Sequence, residues 1–148
     1  MLSAHTNPFE VIRSHGQYLV ARKNLETEGV FQTKTGAAAY IVFEMQGCPD
    51  SFQSAGIIDN LIARKKGKKF ATLLNIAIHD KLYEDPQWSE AIKDIVKSEL
   101  LKLSSRYVSA EMEGLTESET AALSQLGIYG VISEHLATVG LKMPVSNG

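Results

Sequence analysis

Cysteine is almost missing from this chain: Cys48 stands alone among 148 residues. A lone thiol excludes an internal disulfide and fits a reducing compartment. Long apolar runs are missing too. The densest, Ala121 to Ile132, is interrupted by Ser124 and Gln125 and falls well short of the roughly 20 residues a membrane span needs. The first residues, Met1 to Thr6, have neither a basic stretch nor an apolar core of the kind that directs secretion. The expectation is a cytoplasmic protein with no membrane partner.

Catalytic signatures are equally scarce. His5, His15, His79 and His135 form no pair at helical spacing, so the two-ligand face of a zinc or di-iron helix is absent. The chain contains no phosphate-binding loop, no dinucleotide glycine fingerprint and no nucleophile elbow. His79–Asp80 and Glu134–His135 are adjacent in sequence and point to different helix faces, so neither makes an acid–base couple. From these gaps the expectation is a non-enzymatic protein with no catalytic residues, no metal site and no cofactor.

What the chain does have is regular punctuation. Pro8 and Pro86 stand where a first helical residue belongs, while Gly29, Gly47, Gly67, Gly114 and Gly140 follow apolar stretches and suit helix ends. The spacing predicts one all-α domain over 1–148, a compact bundle of about six helices with flexible termini at 1–7 and 142–148. The first helix runs from Pro8 to Glu28 behind an Asn7 cap, the second from Thr35 to Gln46, the third from Ser51 to Lys65, and the fourth from Lys69 to Tyr83. The fifth opens at Asp85–Pro86 and carries Trp88, Ile92, Ile95, Val96, Leu103 and Tyr107 at helical spacing. The sixth spans Thr116 to Val139, opened by a capping box from Thr116 to Glu119. An alternative reading is α+β. Tyr18–Val20, Val30–Phe31 and Tyr40–Phe43 are good strand residues, and a small N-terminal β-meander ahead of helices accommodates them.

Two expected helices are apolar nearly all round: the fourth, through Phe70–Ile78, and the sixth, between Ala121 and Ile132. A domain this small has few fully interior positions. One reading makes the sixth helix a covered terminal helix. The other gives it a partner surface, at Leu126, Gly127, Tyr129 and Gly130, for a homo-oligomer or another protein.

Charge is unevenly spread behind a net of −2. Arg64, Lys65, Lys66, Lys68 and Lys69 crowd one inter-helix turn, with no acid between Asp59 and Asp80. A helix C-terminus explains the first three, because its dipole favours cations, but Lys68 and Lys69 fall at the start of the next helix, where it does not. Either the run is a solvated turn, or it contacts a polyanion such as a nucleic-acid backbone without reading its sequence. Its acidic counterpart, Glu111, Glu113, Glu117 and Glu119, offers a head-to-tail contact between copies. Two alternatives stand beside an interaction or assembly subunit: a small helical redox-type enzyme using Cys48, with His79 or Asp80 nearby, or a modulator or inhibitor that binds an acidic partner.

Overall fold

The computed structural model describes residues 8–22, 25–84 and 88–140. The termini expected to be flexible, the cap at Asp85–Pro86 and the side chains of Asp80 and Trp88 lie outside the described set. The fold is mostly helical, in the form that begins with a meander. Strands β1 (Phe9–Ser14), β2 (Gln17–Arg22) and β3 (Thr27–Phe31) make one antiparallel sheet in the order β1-β2-β3. Seven helices follow among the described residues: α1 (Lys34–Met45), α2 (Ser51–Arg64), α3 (Lys69–Glu84), α4 (Trp88–Leu100), α5 (Ser105–Glu113), α6 (Glu117–Gln125) and α7 (Ile128–Thr138).

The helix expected over 8–28 is therefore not formed. His15 and Gly16 both take positive φ, 51° and 78°, the backbone of a two-residue hairpin loop. Around it the apolar residues alternate with period two. Phe9 and Val11 on β1, Tyr18 and Val20 on β2 and Phe31 on β3 share the inner face, with Val11 opposite Val20 and Tyr18 opposite Phe31. Phe9, Val20 and Phe31 are buried in the core, and this long-range burial outweighs the local signal of Asn7–Pro8.

Against the sheet lies α1, the most enclosed element, in which every residue from Thr35 to Phe43 is buried. The sheet covers one side of it, and α2 and α3 cover others. The rings of Phe9, Phe31, Tyr40 and Phe52 join sheet, α1 and α2, with centroids 5.7–6.3 Å apart. Arg22 pins the same corner. Its Nε lies 2.7 Å from Glu28 Oε2 and its Nη2 3.3 Å from Glu44 Oε1, with the guanidinium 4.5 Å over the Phe9 ring.

Tyr40 donates its hydroxyl to Glu28 Oε1 at 3.0 Å. Burial, that hydrogen bond and the neighbouring carboxylates push its phenol up to about 12, against a smaller opposing effect of Arg22. Between the ordinary value of 10 and 12, the unfolded chain has lost this proton and the folded chain keeps it. Stability therefore falls as pH rises through that window, by about 3 kcal/mol at most. Urea unfolding at stepped alkaline pH should show the fall, and Tyr40→Phe should remove most of it.

Two expected helices divide. The fifth breaks after Leu100, and Ser104 starts α5 by accepting from the Tyr107 amide. The sixth breaks at Gly127, whose φ of 81° ends α6 and begins α7. Most of the apolar run between Ala121 and Ile132 is covered, while Leu101 and Val139 are exposed. Leu123, Leu126, Ile128, Ile132 and Leu136 are all in the core, where α7 packs on α4 and α6 on α2.

Candidate polyanion-binding cleft

The basic turn is shaped by Gly67, whose φ of 88° lets the chain reverse between α2 and α3 without strain. Its five cations have different fates. Arg64 forks onto the buried Glu119, Nη1 to Oε2 at 2.6 Å and Nη2 to Oε1 at 3.1 Å. Lys65 Nζ lies 2.7 Å from Glu111 Oε1, with side chains only 15 % and 10 % exposed, and Lys68 Nζ is 3.8 Å from Glu111 Oε2. Glu111 Oε1 receives no hydrogen bond of good geometry from a described residue, but at 2.7 Å the ammonium still neutralises it. Basic turn and acidic turn thus meet within the chain, which accounts for Glu111. Lys66 and Lys69 are exposed and form no ion pair with any described residue.

Burial pushes the Glu119 carboxyl up, but the Arg64 guanidinium and the donors of Thr116 more than offset it and hold it below the ordinary range. Thr116 and Glu119 form the expected capping box: Thr116 N donates to Glu119 Oε1 at 2.9 Å, and Glu119 N to Thr116 Oγ1 at 3.1 Å. Glu119 is thus committed twice, to the start of α6 and to the end of α2.

Lys66 opens onto a cavity of about 270 Å3. Lys34 and Thr35 from the first turn of α1 line it, as do Thr72 and Asn75 of α3, Gln32 and Thr33 before α1, and Tyr18 of β2. Among the described residues its lining holds two lysines and no carboxylate. Neither α1 nor α3 has an acidic residue in its first turn, although that is where the helix dipole favours one. Deep in the lining, the buried Thr35 donates its hydroxyl to Asn75 Oδ1 at 2.7 Å and lies 2.9 Å from His79 Nε2. A hydroxyl has one proton, so Nε2 of His79 donates to it. A second cavity, about 450 Å3, shares Tyr18 and Lys34 and adds Arg13 and Glu10. Arg13 lies over the Tyr18 ring, 5.9 Å from its centroid.

Local sequence positions these groups by simple means. Thr33 caps α1, accepting from Gly36 N at 2.9 Å, and so places Lys34 at the first helical residue. The Asp59 carboxylate of α2 fixes the loop before it, accepting from Gln32 N, Thr33 N and Thr33 Oγ1 at 2.9, 2.8 and 2.6 Å. Hairpin register places Tyr18 opposite Arg13. Sequence reasoning finds Lys66 and Lys69 but misses Lys34, Arg13 and Tyr18. For Lys34 a signal exists, since it is a cation at a helix start, the same anomaly as at Lys68 and Lys69.

The other candidates fall elsewhere. Leu126 is buried in the core, Tyr129 is half-buried against it, and Gly130 is exposed with open space around it. Cys48 is half-buried, and burial followed by the charge of Glu44 pushes its thiol up, the reverse of what an activated nucleophile needs. Among the described residues no three His, Cys, Asp or Glu side chains come together as a metal-ligand set. No described helix is long and apolar enough to cross a membrane. Comparison with family models, curated proteins and solved structures finds no match to this chain.

Proposed function

We propose that this protein is a non-enzymatic interaction subunit that contacts a nucleic-acid backbone, without sequence preference, through the cationic surface around the α1–α2–α3 cleft. The observation that carries the reading is the arrangement of Lys34 and Lys66 around a cavity whose described lining holds no carboxylate. Lys69 stands beside it at the start of α3 and Arg13 at the sheet end. Arg64, Lys65 and Lys68 support it indirectly, because their pairing with Glu119 and Glu111 holds the turn in shape. Binding of this kind draws its free energy from released counterions.

Fluorescence anisotropy with a labelled mixed-sequence oligonucleotide, titrated at several salt concentrations, tests the reading. Four cations on four phosphates give a log–log salt slope of about −3. Reversing Lys66 and Lys69 to Glu should weaken binding at least tenfold at low salt while leaving thermal unfolding in place. Lys65 and Lys68 are left alone, because a carboxylate at Lys65 would face the buried Glu111. No binding at low salt, or binding indifferent to both substitutions, would sink the proposal.

A further inference from the structure

Resting on that reading, we infer that the cleft selects single-stranded over double-stranded nucleic acid, with one nucleotide entering the cavity between Lys34 and Lys66. A convex, stiff duplex, with a persistence length of about 50 nm, touches a protein surface but does not fill a cavity of about 270 Å3. A single strand bends freely and turns one residue inward. The cavity supplies what such a residue asks for. Lys34 and Lys66 meet a phosphate, the hydroxyl of Thr72 and the amides of Gln32 and Asn75 offer donors and acceptors, and Ile62 and Ala71 give an apolar wall. Tyr18 borders this cavity and the larger one beside it, so a base in either lies against an aromatic ring. Arg13, already over that ring, adds a planar cation. A cationic track joined to an aromatic surface is the arrangement by which single strands bind with little regard to sequence. Lys34 and the start of α3 bring positive charge to helix ends that are already electropositive, which gives the cleft a positive potential that a phosphate relieves.

The test compares a labelled 12-nucleotide single strand, as RNA and as DNA, with the duplex of the same sequence, at low salt. Wild type is set beside Tyr18→Leu, Lys34→Gln with Lys66→Gln, and Lys69→Gln as a charge outside the cavity. Circular dichroism confirms that each variant folds, and Tyr18→Leu keeps an apolar side chain against the core. The expected result is at least tenfold tighter binding of single strands. Tyr18→Leu should reduce single-strand affinity about tenfold and duplex affinity far less, while Lys69→Gln weakens both forms alike. Equal affinity for both forms, or a Tyr18→Leu variant that binds single strands like wild type, overturns the inference and leaves the proposed function intact. Absence of binding to either form overturns both.

Discussion

Asp59→Ala is expected to cost about 3–4 kcal/mol of folding stability, a large loss for a single side chain. Its carboxylate, buried at 6 % exposure, accepts three hydrogen bonds, from Gln32 N, Thr33 N and Thr33 Oγ1. Removing it strands two backbone amides and loosens the Thr33 cap on α1, and each buried donor left without a partner costs about 1–3 kcal/mol. Asparagine does not repair the loss. Oδ2 serves Gln32 and Oδ1 serves Thr33, so either orientation of the amide turns a donor against a donor. Asp59→Asn should therefore lose about 2 kcal/mol. Gly36 belongs to the same construction. A Cβ there would overlap the Asp59 carboxylate, so Gly36→Ala should destabilise by a similar amount although alanine favours helix. Urea denaturation of the three variants measures all of this. A loss under about 1 kcal/mol for Asp59→Ala would show that the carboxylate does not hold the loop.

Glu119→Ala should cost about 2–3 kcal/mol, combining a lost cap with a lost charge-assisted pair. Glu119→Gln separates the two, because its amide oxygen still accepts from Thr116 N while the ion pair to Arg64 weakens. The pH dependence has a definite sign. The folded-state carboxyl titrates below the ordinary value of 4.5, so the unfolded chain takes up this proton first as pH falls. Stability from this group is complete above about 4.5 and declines as the solution is acidified through the lowered folded value. Wild type should lose stability on going from neutral pH towards about pH 3 faster than Glu119→Gln. Parallel acid profiles would show that the pair is energetically idle.

Boundaries of α1, α2 and α3 are legible in the chain to within a residue or two, because local chemistry fixes them. Gly47 and Gly67 take positive φ just past α1 and α2, as their positions suggest. The Thr116–Glu119 box opens α6 where its spacing places it. What escapes reading depends on distance along the chain. Residues 8–28 carry a plausible helix cap, and only burial of Phe9, Val20 and Phe31 on α1 selects the sheet. In sequence Gly127 falls inside one long apolar helix, whereas its φ of 81° makes it a helix end. The cleft is half legible. Lys66 and Lys69 stand in the basic run, whereas Lys34, Arg13 and Tyr18 come from other elements and are gathered only by the fold. Pairing of Arg64 with Glu119 and of Lys65 with Glu111 has no local signature at all, since nothing nearby ties one turn to another so far along the chain.

That separation also sets an order of events during synthesis. Arg64 emerges 55 residues ahead of Glu119, a gap of several seconds at the usual pace of about 5–20 residues per second. Through most of that interval the partners of Arg64, Lys65 and Lys68 have not yet been made. Arrival of Glu111 and Glu119 then pairs Arg64, Lys65 and Lys68 as the fold closes. Completion of the chain is thus also its charge trimming, leaving Lys66 and Lys69 as the cations of the turn that remain on offer.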